Sequence, residues 1–159
     1  MNKDLTIGDA FDALTSAINE YAKDGVMVSE EIETFNLAIQ ADVNFRDLLM
    51  GMPKHYEIEK CVGFITYVLG QVEQEHRAPY LTILSAYAYE LGDKISAGKF
   101  LGDALAIDSE YSLAKLLARV FSADWSADSL AGMRNGLDDK VRAVVEEQRE
   151  ILISEIANA

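Results

Sequence analysis

The chain has very little of what most functional sites are built from. It holds one cysteine, Cys61, in 159 residues, which excludes an intramolecular disulfide and gives no sign of a disulfide-stapled secreted scaffold. Its only histidines are His55 and His76, and neither falls in a His-x-x-x-His or His-Glu-x-x-His spacing. Glu73 and His76 are three apart and could share a metal, but no second such pair completes a site. Both are therefore expected as exposed loop residues, with no metal and no cofactor. A Gly-rich phosphate loop and a Gly-x-Ser-x-Gly elbow are missing as well. Proline occurs twice, at Pro53 and Pro79, so long windows are left open to helix. Strand-forming residues cluster only at Val26-Met27-Val28, too short a run to build a sheet.

Long apolar runs are missing too. The longest, Cys61 to Gly70, falls far short of the roughly 18 residues of a membrane span. Met1-Asn2-Lys3-Asp4 does not open a signal peptide, so a cytoplasmic location is expected. Positive charge is scarce: 14 Lys and Arg stand against 27 Asp and Glu, for a net charge of −13. That balance argues against direct nucleic-acid binding, which requires cations to displace counterions. It disfavours an anionic membrane surface for the same reason. Its expected role is to keep the protein soluble. Hydrophobic residues, in contrast, make up 50% of the chain. At this length one domain can bury about 70% of the surface its unfolded chain exposes.

What is abundant is helical periodicity, most clearly between Ala78 and Ala118. Leu81, Leu84, Ala88 and Leu91 form one stripe at helical spacing, and Tyr80, Ile83 and Tyr87 form an adjoining one. Two stripes side by side predict a helix buried over more than half its girth. Gly92 can close that helix in the left-handed conformation, and Asp93 can cap the next. The next helix carries Ala97, Leu101, Ala104 and Leu105 on one face, with Ile95 and Phe100 flanking. Leu84, Ala88, Ala97, Leu101 and Ala104 are the expected core of the hairpin.

Over residues 79–107 this spacing resembles one tetratricopeptide repeat, with Leu81, Leu84, Ser85 and Ala88 in its first helix and Ala97, Leu101 and Ala104 in its second. The usual opening Trp and closing Pro are missing, and no second copy follows in register. The resemblance implies a first helix that lines a concave face. It places Thr82, Ala86 and Tyr89 there, at i, i+4 and i+7, apart from the leucine stripe.

A longer resemblance covers about residues 10–125. The segments APYLTILSAYAYELGD, YSLAKLL and ADW, with EEIETFNLAIQADVNFRDLL upstream, resemble the second half of the actinobacterial "domain of unknown function 4192" family. Arg46 and Asp47 stand at that family's Arg-Asp positions. The resemblance implies a fold and an actinobacterial or actinobacteriophage origin. It implies no reaction, because the family has no established activity. The family's N-terminal half has no counterpart in this sequence, which favours a phage product.

The rest of the chain reads as further helices. Thr6 can cap a first one, with Ile7, Ala10, Phe11, Leu14, Ile18 and Tyr21 inward and Gly25 at its end. Ser29 can cap a second, striped by Ile32, Phe35 and Ile39, with a break near Ala41-Asp42. A short helix through Phe45, Leu48 and Leu49 is stopped by Gly51 and Pro53. A fourth runs from Tyr56 to Val72 and carries Cys61 on its apolar stripe, where a buried inert thiol is expected. After the hairpin, Leu113, Leu116, Leu117 and Val120 stripe another helix. Residues 126–136, with Gly132, Asn135 and Gly136, read as a linker. Residues 137–159 read as a last helix whose seam is Leu137, Val141, Val144, Gln148, Ile151 and Glu155. It is expected to pack on the bundle or on a second copy, giving a possible homodimer. The expected fold is all-α: an irregular bundle of about seven helices in a 1–125 domain, the linker, and the C-terminal helix.

The leading function class is a non-enzymatic helical module that binds a protein partner. Its candidate contacts are Thr82, Ala86 and Tyr89, with Trp125 and Arg46 in addition. Trp125 also suits a core plug, and Arg46 also suits an internal pair with Asp47. The alternative is a phage-encoded acidic inhibitor that imitates nucleic-acid charge to block a host DNA- or RNA-binding protein. Nothing in the sequence points to catalytic residues.

Overall fold

The computed structural model describes residues 7–158, the side chains of Ile7 and Ala10 excepted, so the expected cap at Thr6 and those two core positions lie outside the described residues. Among the described residues the chain is all helix and turn, an irregular α bundle with no strand. Its helices are α1 (Ile7–Asp24), α2 (Ser29–Ala41), α3 (Val43–Met50), α4 (Ile58–Gln71), α5 (Ala78–Glu90), α6 (Lys94–Ile107), α7 (Ser112–Ser122) and α8 (Ala127–Ala157). Short 3-10 turns at Met52–Lys54 and Gln74–His76 precede α4 and α5. No described helix is long and apolar enough to cross a membrane.

Local chemistry accounts for most boundaries. Asp42 is extended, and its carboxylate accepts from Asn44 N–H at 2.8 Å, which separates α2 from α3. Gly92 closes α5 at φ +84, and Asp93 caps α6 by accepting from Ser96 N–H at 3.0 Å. Ser29 does not act as the expected cap. It is the first helical residue of α2, and extended Val28 precedes it without a side-chain hydrogen bond. Glu30 and Glu31 still favour the positive end of that helix.

The bundle is arranged around α5, where every residue from Ala78 to Tyr89 is buried. Its aliphatic hydroxyls are satisfied inside the helix: Thr82 donates to the Ala78 carbonyl at 2.7 Å and Ser85 to that of Thr82 at 2.6 Å. The five expected hairpin core residues are all buried. Leu91 is an exception to the predicted stripe, since it lies just past the last turn of α5 and is exposed. Leu84 is only 2% exposed, whereas Ile95 on α6 is 87% exposed. Leu84→Ala is therefore expected to cost about 2–5 kcal/mol in urea unfolding, the range for a buried leucine. Ile95→Ala should stay within about half a kcal/mol. Similar losses for the two would place the hairpin in the wrong phase.

The expected linker at 126–136 is instead the first part of α8, which runs unbroken for 31 residues. Ser126 starts it by accepting from Ser129 N–H at 3.1 Å. Gly132 and Gly136 are exposed, so each costs only the intrinsic penalty of about 1 kcal/mol in a helix. Burial of the opposite face outweighs that cost. The buried stripe is Leu130, Arg134, Asp138, Val141 and Val145, packed on α1, α3 and α5. The predicted seam is thus rotated: Leu137 and Val144 are half-buried, and two charged residues take the inward positions.

Candidate functional site

The face that carries Thr82, Ala86 and Tyr89 is closed. These residues are 0%, 0% and 4% exposed, so the open groove implied by the repeat resemblance is not there. The Tyr89 ring stacks on Phe121 of α7, with centroids 4.4 Å apart and planes within 3°. Its hydroxyl donates to the Trp125 carbonyl at 2.5 Å, and the Lys94 ammonium sits 5.6 Å from its ring centroid. The turn after α7 covers this face because an aromatic on an otherwise apolar helix gains more from burial than from water. The turn is pinned by Lys94 to Asp124 at 2.7 Å, with Asp124 at φ +53. Trp125 itself is 39% exposed: its carbonyl is used inside while its indole remains at the surface.

Arg46 points inward as well. Its guanidinium donates to Asp47 at 2.9 and 3.2 Å and to Ser112 Oγ at 3.4 Å, tying α3 to the start of α7. Burial raises the Asp47 carboxyl above its ordinary range, while the adjacent Arg46 charge works against that rise. Four of the five predicted contacts therefore serve the interior. Only the Trp125 indole is available to a partner.

The two histidines are occupied by polar neighbours. The Nδ1 of His76 pairs with the Asn36 amide at 3.1 Å, and Asn36 also accepts from Tyr80 OH at 2.8 Å. The expected exposed loop position thus holds for Glu73, whereas His76 is half-buried. His55 Nε2 lies 2.7 Å from Asp138 Oδ2, which also accepts from Arg142 at 3.0 Å. Asp138 is 0% exposed, and its Oδ1 has no hydrogen-bond partner. Nearby, Arg134 grips Glu90 through Nε at 2.6 Å and Nη2 at 2.8 Å, a bidentate pair inside the protein. This charged layer beneath α8 has no counterpart among the residues expected from sequence. Its signature in the sequence is a helical stripe, 130–134–138–141–145, in which charge replaces the second and third apolar positions.

Cys61 is buried, and the loss of hydration pushes its thiol up to about 12, with the Arg134 charge opposing the rise. A thiol so raised is almost wholly protonated at pH 8. Maleimide labelling of the folded protein at pH 8 should be slow, because the thiol is buried and protonated, and urea should accelerate it sharply. Labelling within seconds in the native state would place the thiol at the surface.

At the other end of α8 the bundle no longer covers it. Residues 151–158 are all exposed, including Ile151 at 51%, Leu152 at 51%, Ile153 at 66% and Ile156 at 75%. Leu152 and Ile156 prolong the buried line of Val141 and Val145, at helical spacings of seven and four. Glu146, Glu147, Glu150 and Glu155 make this stretch of the chain acidic. Arg149 is engaged with Asp12 at 2.6 Å and lies over the Phe11 ring, 5.7 Å from its centroid.

No curated protein and no solved structure matches this chain. The family model described as Domain of unknown function (DUF4192) matches residues 3–125, which spans α1 to α7 and ends where α8 is about to begin. With more than half its length covered by that model, the chain belongs to the DUF4192 family.

Proposed function

We propose that this protein is a non-enzymatic interaction module, of actinobacterial or actinobacteriophage origin, that binds a protein partner through the C-terminal end of α8. The partner segment is a basic amphipathic helix. The observation that supports this reading is the aliphatic group Ile151, Leu152, Ile153 and Ile156, which extends beyond the bundle amid four glutamates. An apolar group on an acid-rich helix end fits an apolar stripe flanked by Lys and Arg, both in packing and in charge. A second copy of this chain fits less well. Pairing two such ends sets glutamates against glutamates, and four side chains fall short of the about 800 Å² per partner of a stable interface.

The reading is tested with a synthetic helix that bears leucines on one face and lysines beside them, titrated calorimetrically into the full chain. Leu152→Ser with Ile156→Ser should weaken binding at least about tenfold, as expected when an interface loses its central apolar anchors. Trp125→Ala should leave binding unchanged. Equal binding by the Ser variant would reject the α8 site. Concentration-dependent dimerisation that the same variant abolishes would replace it with a homodimer through the C-terminal helix.

A further inference from the structure

Between α1, the Met52–Lys54 turn and α4 lies a pocket of about 320 Å³, within the size range of small-molecule sites. Its floor is apolar: Ile18, Met52, Cys61 and Phe64 are all buried. Tyr21 and Tyr56 form walls. The Tyr21 ring is held edge-on to Phe64 at 5.6 Å and against Tyr67 at 5.5 Å. Tyr67 in turn accepts from Met27 N–H at 3.3 Å, so the aromatic wall is fixed before any ligand arrives.

The charge at the pocket runs opposite to that of the molecule. The chain carries 27 acidic residues, yet among the described residues none lines the pocket, and the one charged lining residue there is Lys60. Lys60 is exposed, as are the lining residues Ala22 and Gly25, so these three mark the solvent side of the pocket. The Cys61 thiol, pushed up to about 12, stays neutral and does not repel an anion. Rigid aromatic walls favour a flat ring, and a lone cation above an apolar floor favours one negative charge.

We propose that this pocket binds a small planar aromatic carboxylate, its ring against Tyr21, Tyr56 and Phe64 and its charge against the Lys60 ammonium. The site is separate from the exposed end of α8, so it stands or falls independently of the partner-binding reading.

The probes are 2-naphthoate and its neutral isostere 2-naphthamide, titrated into the full chain by calorimetry and by amide chemical shifts. The carboxylate should bind with shifts centred on α1 and α4. It should bind about two- to fivefold tighter than the amide, the ratio that an exposed ion pair supplies. Lys60→Gln should erase that preference. Ala22→Phe, which plugs the mouth from a solvent-facing position, should abolish binding of both probes. The proposal is overturned by absence of binding at millimolar naphthoate, by shifts centred elsewhere, by equal affinity for the two probes, or by an unaltered preference in Lys60→Gln. If Ala22→Phe does not fold, the shift map and Lys60→Gln decide the matter alone.

Discussion

Gly51→Ala should destabilise the protein by about 3 kcal/mol, the upper end of what overpacking costs. Gly51 ends α3 and lies directly beneath Asp138 of α8. A methyl group built on it would run into the Asp138 Cβ and come within 2.7 Å of its Oδ1 and 2.8 Å of its Cγ. Rotating the Asp138 side chain cannot relieve a collision with its own Cβ, so α8 must move. Movement strains the His55 and Arg142 contacts to Asp138 and the Lys54–Asp139 pair. At about 2–4 °C per kcal/mol for a chain of this size, the melting temperature should fall by roughly 6–12 °C. Gly132→Ala provides the contrast. Nothing lies within 4 Å of a Cβ at that position. Alanine there should stabilise α8 by about 0.5–1 kcal/mol, through helix propensity and a less flexible unfolded chain. If both variants melt like the wild type, α3 and α8 do not approach each other as closely as described.

Arg134→Ala is expected to cost about 3–5 kcal/mol, because it strands the Glu90 carboxylate inside the protein. The two side chains are 8% and 7% exposed and joined by two short hydrogen bonds. A surface ion pair of the same geometry would contribute at most about 1 kcal/mol. Burial makes the difference, since water cannot solvate the partner left behind. Arg134→Met combined with Glu90→Leu should recover most of the loss, because removing both charges also removes their desolvation cost. A double-mutant cycle by urea unfolding measures the coupling. Strict additivity of the single changes would show that the two residues do not meet. The charges also help fix how α8 lies on the bundle, for Arg134 reaches Glu90 one turn before Asp138 is seated over Gly51.

The contrast between the α5–α6 hairpin and α8 shows where local information ends. In the hairpin, apolar spacing, Gly92 and Asp93 agree with one another, so its helices, its turn and the five core residues Leu84, Ala88, Ala97, Leu101 and Ala104 are legible without any neighbour. The same holds for Asp42 between α2 and α3, and for Gly51 and Pro53 at the end of α3. The failure over 126–136 has a simple cause. Two glycines and an asparagine lower helix propensity by a few kcal/mol together, and propensity was all that could be read there. Burial of Leu130, Arg134 and Asp138 against other helices reverses the balance.

The all-α class, the central hairpin and its caps, the acidic charge and the family resemblance are written in the order of the residues alone. These depend on residue identity and on spacings within a turn or two of helix. Packing between distant segments is what covers Thr82, Ala86 and Tyr89 and turns Arg46 inward. It alone brought Arg134 to Glu90, set the Asp138 carboxylate over Gly51, and left the end of α8 bare. A polar side chain on a helix reads the same whether it faces water or a partner 44 residues away, as Arg134 faces Glu90. Its surroundings come from distant segments, and they alone settle whether its charge is solvated, paired or exposed to a ligand.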